Sequence, residues 1–409
     1  MRLVGFYFAL FLMLTSAWLL GEGLHRLRQP ALVGQLLAGV VIGPSLLNLV
    51  QPTADLAAVE GVALFFIMLL TGLTVDPSKL VAAGKRGALV SCISFAIPFL
   101  AAVAVSEWFG IGAASSLTIG LTVSITAVPV NTMILMELGL FDTDLGATVI
   151  AAGVIDDIIS FVALSLILLL AGGSASSDWS VATEVVTIAI FLVAVLACEH
   201  FVRHNLERVK RWTDDLERGL GAPGSYFALL VAAAVGVSLL AAWAGLQLVI
   251  GAFFAGLVLS ELAGPTRLGE ASSVVRGATY GFFGPIAFAY IGTEFIFGSV
   301  AAVPFLVLSL LAVALASKFL GGYVGARISR FSSNQSLIIG SLMNSRGFVE
   351  LVIATTAYQL GLIDQGIFSV VVGVGILTTI ISPITTRRFM QRTPESGEPQ
   401  GATNRSQTL

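Results

Sequence analysis

Two adjacent carboxylates, Asp156 and Asp157, stand in the apolar run Ala151-Ala-Gly-Val-Ile-Asp-Asp-Ile-Ile-Ser160, with apolar sequence extending well past them on both sides. At the centre of a bilayer an ionisable residue costs roughly 2.5–3.5 kcal/mol even on the lenient insertion scale, so a doubled one marks a functional site. The chemistry open to such a pair is ion binding, because carboxylate oxygens accept protons or hard cations. Side chains at neighbouring positions on one helix point about 100° apart. The two cannot share one job: one can face a fixed partner while the other faces a cavity. The plain alternative is an acidic pair at a helix end in solvent.

Other ionisable or helix-breaking residues fall at comparable depth. Lys318, in Val313-Ala-Leu-Ala-Ser-Lys-Phe-Leu-Gly-Gly322, needs a counter-charge, and the aspartate pair is the economical source. Snorkelling from a helix end is its bland alternative. Arg346 and Glu350, four apart, can pair within one helix, or Arg346 can offset the carbonyl end of a broken helix; a structural or gating pair is the favoured reading. In Ser124-Ile-Thr-Ala-Val-Pro-Val-Asn131, Pro129 removes a backbone donor and clashes with the preceding turn. If this interrupts the helix rather than kinking it, the freed carbonyls and the Thr126 hydroxyl are hard oxygen ligands, and Asp156, Asp157 and Thr126 become the expected site for a small cation. Asn344 opens a second interruption at Asn344-Ser-Arg-Gly347. Glu22, Asp76, Glu107, Asp142, Asp144 and Glu261 read as interfacial, and His25, His200 and His204 are weak candidates for pH sensing.

The elements that must hold these groups are membrane helices. Of 409 residues 56% are hydrophobic and 11% charged, with mean hydropathy +0.96, whereas an ordinary soluble domain is about 25% charged. An all-α polytopic membrane protein is the class this composition fits. No basic, aromatic-interleaved patch suggests nucleic acid. Cys92 and Cys198 lie in different apolar stretches without metal-ligand spacing, so both are expected to be reduced and buried. Val4–Leu20 after Arg2 has the look of a signal peptide, but no small-x-small cleavage site precedes Glu22–Arg28, and a retained helix is expected.

Helices long enough for about 30 Å of hydrocarbon are expected at thirteen apolar spans: roughly 4–20, 30–48, 60–75, 86–107, 115–138, 145–171, 181–202, 223–243, 246–262, 278–293, 300–324, 334–360 and 365–389. Apart from Arg2, Lys318 and Arg346, the lysines and arginines then fall after odd-numbered spans, at the span ends that face those loops (Arg86, Arg387, Arg388) or in the tail. That asymmetry puts the N-terminus outside and the C-terminus in the cytoplasm. The halves repeat: Val33-Gly-Gln-Leu-Leu-Ala-Gly-Val40 matches Ile250-Gly-Ala-Phe-Phe-Ala-Gly-Leu257, with Gly34 and Gly251 217 positions apart, and the same offset carries Ala127 to Asn344. Six spans in each half around a central seventh make the repeats inverted, and interrupted helices at equivalent places point to a transporter's binding site at the midplane. The polar tail, 391–409, reads as disordered.

Together, Gln29-Pro-Ala-Leu-Val-Gly-Gln-Leu-Leu-Ala-Gly-Val-Val-Ile-Gly-Pro-Ser-Leu-Leu47, Val154-Ile-Asp-Asp157, Lys318 with its following glycines, and Asn344-Ser-Arg-Gly-Phe-Val-Glu350 resemble the monovalent cation/proton antiporters, in particular the second large family of that superfamily. The resemblance covers nearly all of residues 1–390. It implies thirteen helices in two inverted six-helix repeats with crossed discontinuous helices. It also implies panel helices for homodimerisation at about 4–75 and 223–293, a core at about 86–171 and 300–389, a linker helix at about 181–202, and elevator movement. By the same resemblance Asp157 carries cation and proton, Asp156 pairs with Lys318, and the Asp-Asp pair belongs to the electrogenic type. Two departures concern selectivity: Phe348 stands where many bacterial relatives have Glu, the acid here being Glu350, and Gln35 replaces a frequent Glu.

The expected function is exchange of Na⁺, Li⁺ or K⁺ for protons across the cell (inner) membrane, with no enzyme chemistry and no cofactor. A sodium-coupled organic anion symporter would want polar anion contacts, of which the sequence offers few besides Arg346. A potassium efflux system is the third reading; no carbonyl-filter sequence of the Thr-Val-Gly-Tyr-Gly kind supports an ordinary potassium channel.

Overall fold

The computed structural model describes residues 2–391 apart from 28, 75–76, 142, 172–177, 206, 210, 212–224, 245, 247 and 261–266. Asp76, Asp142, Glu261 and all but the first residue of the tail therefore lie outside the described residues. The helices in chain order are α1 (Arg2–Arg26), α2 (Ala31–Ile42), α3 (Ala54–Thr74), α4 (Pro77–Trp108), α5 (Ala113–Ser124), α6 (Val128–Glu137), α7 (Asp144–Ala171), α8 (Asp178–His204), α9 (Ser225–Trp243) and α10 (Leu248–Ser260). They continue with α11 (Arg267–Ala278), a π-helical turn (Thr279–Phe283), α12 (Gly284–Glu294), α13 (Phe297–Ala302), α14 (Pro304–Ile328), α15 (Ser333–Leu342), α16 (Phe348–Gln359) and α17 (Gln365–Gln391).

Among the described residues, seven helices are long and apolar enough to cross a membrane. Several expected spans are shorter than the apolar pattern suggests. The stretch 30–48 is helical only over the 12 residues of α2, about 18 Å of rise, because Gly43 and Pro44 end it and the chain turns. The stretches 115–138 and 334–360 are each split in two, as α5 with α6 and α15 with α16.

Local chemistry sets several ends. Pro304 and Pro285 sit in the first turns of α14 and α12, where a missing N–H costs nothing. Ser332 and Gln335 cap α15 reciprocally, each side chain bonding the other's backbone N–H at 3.2 and 3.0 Å.

Close helix crossings assemble two sets of helices. In one, α2 crosses α12 where a methyl group on Gly39 would lie 1.9 Å from the Ala289 carbonyl oxygen, and α3 crosses α10 where one on Gly72 would lie 2.1 Å from the Phe253 carbonyl. Small residues at such crossings let backbones touch, which is how membrane helices gain packing without a hydrophobic drive. In the other set, α4 lies against α5, α7 and α14, and α14 meets α4 through Gly321 and Gly325. Cys92 and Cys198 are free but exposed, not buried as expected; a helix face turned to hydrocarbon accepts a thiol as a small apolar group.

Candidate ion-binding site

The site forms where the two split helices meet. Residues 125–127 and 343–347 leave the helical conformation and run past each other, with the Ala127 N–H donating to the Ser345 carbonyl at 2.9 Å. The Ser345 hydroxyl donates to Asn131 Oδ1 at 2.6 Å, and the Thr126 hydroxyl approaches the Met343 carbonyl at 3.3 Å. Pro129 stands in the first turn of α6, so α5 stops before it and a new helix begins there, which is an interruption and not a kink. A methyl on Gly347 would press on Ala127 Cβ at 2.7 Å, so the crossing requires its missing side chain. Asn344 donates to the Leu315 carbonyl at 3.1 Å.

An α-helix ends with carbonyls that have no partner in the helix and with partial negative charge. At the end of α5 two buried cations take them. Arg346 donates through Nη1 to the Thr122 carbonyl at 2.7 Å and through Nη2 to the Val123 carbonyl at 2.6 Å, while Lys318 Nζ donates to the Ser124 carbonyl. The expected ligands were the carbonyls beside Thr126, and these bonds fall just before them, at the last turn of α5. The three at Thr122, Val123 and Ser124 are occupied, because buried cations find the nearest uncompensated acceptors.

Asp156 and Asp157 come from the middle of α7 and are both fully buried. Asp156 is saturated: its Oδ1 accepts from the Ser91 hydroxyl at 2.5 Å, and its Oδ2 accepts from the Thr126 hydroxyl at 2.8 Å and from Lys318 Nζ at 3.0 Å. Lys318 is buried with it, so the pair is an internal salt bridge and the snorkelling alternative falls away. Arg346 and Glu350, also buried, approach at 3.5 Å, but the shorter bonds of Arg346 go to α5.

Asp157 differs from all of these. Neither carboxyl oxygen has a hydrogen-bond partner among the described residues. It lies within electrostatic range of Asp156 and Lys318, and the Lys318 charge is already matched by Asp156. Pairing Lys318 with Asp156 and Arg346 with Glu350 leaves one carboxyl over. An isolated ionised carboxylate in a dry interior is so costly that the group is neutralised in practice. Among the described residues Asp157 is thus the carboxyl left without an ion-pair partner or a hydrogen bond.

Of the residues singled out in the sequence, the structure joins Asp156, Thr126 and Lys318 in one network, puts Arg346 and Glu350 next to it, and leaves Asp157 beside it without a bond. Ser91 was missed. One serine among several in α4 carries no signal of its aim, and only packing α4 against α7 reveals it. Glu22 and Asp144 make exposed ion pairs with Arg26 and Arg86, as interfacial residues would. The His200 and His204 rings stack at 6.1 Å, whereas His25 lines a cavity of about 250 Å³ with Gln35, Ile67, Val130, Tyr280 and Phe288. That cavity opens between α1, α2, α12 and the first turn of α6.

A family model described as sodium/hydrogen exchanger, transmembrane, matches residues 10–392. A Na⁺/H⁺ antiporter of Enterococcus hirae is 30% identical over 369 residues, spanning 90% of this chain and 94% of that protein. The Na⁺/H⁺-K⁺ antiporter GerN of Bacillus cereus is 28% identical over 378 residues, spanning 92% and 94%. Among solved structures, that of the sodium proton antiporter MjNhaP1 from Methanocaldococcus jannaschii shares the fold, with a TM-score of 0.70 at 17% identity over 97% of this chain and 100% of that one. The multi-pass helical fold, the crossed interrupted helices and the match over nearly the whole length establish that the chain belongs to the sodium/hydrogen exchanger family of the monovalent cation/proton antiporter superfamily.

Proposed function

We propose that the protein is a secondary antiporter exchanging a monovalent cation, Na⁺ first and Li⁺ or K⁺ as related cargo, for protons. One observation carries this reading: Asp157 is a fully buried carboxyl without a hydrogen-bond partner among the described residues, next to a saturated ion pair. A group that must be neutral and has no fixed cation can take either ion in turn. Competition for it couples the two fluxes, and cation affinity falls as protons occupy the carboxylate, as for any ligand that must be deprotonated to bind.

The finer parts of the proposal have separate supports. Thirteen spans with the N-terminus outside and the C-terminus cytoplasmic follow from the segregation of basic residues. Two inverted repeats are supported by contacts that recur at one offset. The crossing of Gly39 on Ala289 corresponds to that of Gly256 on Gly72, the crossing of Gly34 on Gly21 to that of Gly251 on Ser238, and Thr126 meets Met343 across the same 217 positions. Panel and core are assigned to the sets around α2, α3, α10 and α12 and around α4, α5, α7 and α14, with α8 linking them. Rigid movement of the core past the panel would alternate access. Exposed aromatic residues on α1, including Tyr7, Phe8, Phe11 and Trp18, support panel-to-panel homodimers. Transport is electrogenic in this reading, with Asp156 and Lys318 contributing a second titratable event when their bridge opens.

Proteoliposomes with an internal pH dye test the proposal. Adding Na⁺, Li⁺ or K⁺ should drive proton flux in the wild type, Asp157→Asn should reduce it at least 100-fold, and clamping the membrane potential should change the rate. No cation-dependent flux, or full flux in Asp157→Asn, would overturn the exchange. An unchanged rate under clamp together with no current would overturn only the electrogenic part.

A further inference from the structure

A second pair of buried carboxyls lies away from the crossed helices. Glu60, near the start of α3, is fully buried, and Glu294, the last residue of α12, is 8% exposed. The two lie within electrostatic range of each other. Each has one oxygen bonded and one not: Glu60 Oε2 accepts from Gln359 Nε2 at 3.3 Å and Glu294 Oε1 from the Tyr290 hydroxyl at 3.1 Å, while Glu60 Oε1 and Glu294 Oε2 are buried without a partner. The groups acting on Glu60 are Glu294 and Gln359, those on Glu294 include Tyr290, and Tyr358 is also in range. No lysine, arginine or histidine is among them.

The cluster sits on a joint. Glu60, Tyr290 and Glu294 belong to α3 and α12, whereas Tyr358 and Gln359 close α16 and Gln365 opens α17. Gln365 Nε2 donates to the Glu294 carbonyl at 3.2 Å, and the Ile296 N–H donates to the Ser369 hydroxyl at 2.9 Å across the same seam. Two like charges within electrostatic range, with no cation among the described groups that act on them, do not both persist in a desolvated setting. A proton on one of them resolves the conflict, since a neutral carboxyl removes the repulsion and becomes a hydrogen-bond donor.

We propose that Glu60 and Glu294 form a second proton-binding site, distinct from Asp157, whose proton holds α3 and α12 against the α16–α17 end. Loss of that proton would leave two repelling charges on the joint and loosen it, so the site would tie the grip between these helix sets to pH.

Proton occupancy can be read without any transport, by the infrared C=O band of protonated carboxyls in purified protein in lipid. At neutral pH, Glu60→Gln/Glu294→Gln should lose one carboxylic-acid equivalent of that band relative to wild type, and Asp157→Asn should leave this component in place. Because glutamine mimics the neutral carboxyl in shape, the double variant should fold, and its melting temperature should lose the decline with rising pH that the wild type shows. Glu60→Gln alone serves if the double variant does not fold. An unchanged band and an unchanged pH dependence of melting in these variants would overturn the proposal.

Discussion

Asp156 and Asp157 are adjacent in sequence and opposite in circumstance. Asp156 accepts three hydrogen bonds, one from Lys318, and Asp157 accepts none among the described residues. A buried ion pair contributes little net stability when complete, but removing one partner strands the other. Lys318→Ala should therefore destabilise the protein by about 3–5 kcal/mol, read as a fall in thermal stability in detergent, and Asp156→Asn in the same chain should recover most of it. Equal stability in Lys318→Ala and wild type would contradict the ion-pair account. The sequence made the aspartates, Lys318, Arg346 and the break at Pro129 legible, because charge and proline are rare at this depth and each rarity has a physical cost. It did not make Ser91, Glu60 or Glu294 legible: a serine is common in helices, and the two glutamates stand near helix ends, where an acid normally meets water. Only tertiary packing reveals that these ends are covered.

Interrupted helices give this molecule its site. Half-helix α5 ends in uncompensated carbonyls, and the fold answers with Arg346 and Lys318 from two different elements. The sequence foretold the interruptions through Pro129 and the Asn344–Gly347 element, and offered Arg346 as the group that offsets the carbonyl end of a broken helix; that Lys318 joins it there is visible only in the packed structure. Element lengths were legible only roughly: apolar residues continue past Ile42 at the end of α2, so hydropathy overstates a helix that Gly43 and Pro44 end. The crossings are strict where backbones touch. Gly72→Ala would set a methyl 2.1 Å from the Phe253 carbonyl and force α3 from α10, at about 1–3 kcal/mol, the usual scale for overpacking. A lower melting temperature checks this, whereas Gly61→Ala, with open space around it on the same helix, should leave the temperature unchanged.

At the scale of the whole molecule, the carboxyl with no bond among the described residues lies on α7, which packs against the halves of both interrupted helices. Family membership fixes the general architecture, and the recurring offset in the crossings supports a duplicated ancestry of the halves. Antiport in this account is competition: one site, two ions, never both. The most direct test is to add Na⁺ to purified protein in weakly buffered solution near neutral pH and record proton release and Na⁺ binding together. Competition for one site should release protons in proportion to Na⁺ bound, weaken the apparent Na⁺ affinity by up to about tenfold per unit of acidification where protons hold the site, and give neither signal in Asp157→Asn. Na⁺ binding without proton release, or both signals intact in Asp157→Asn, would contradict it.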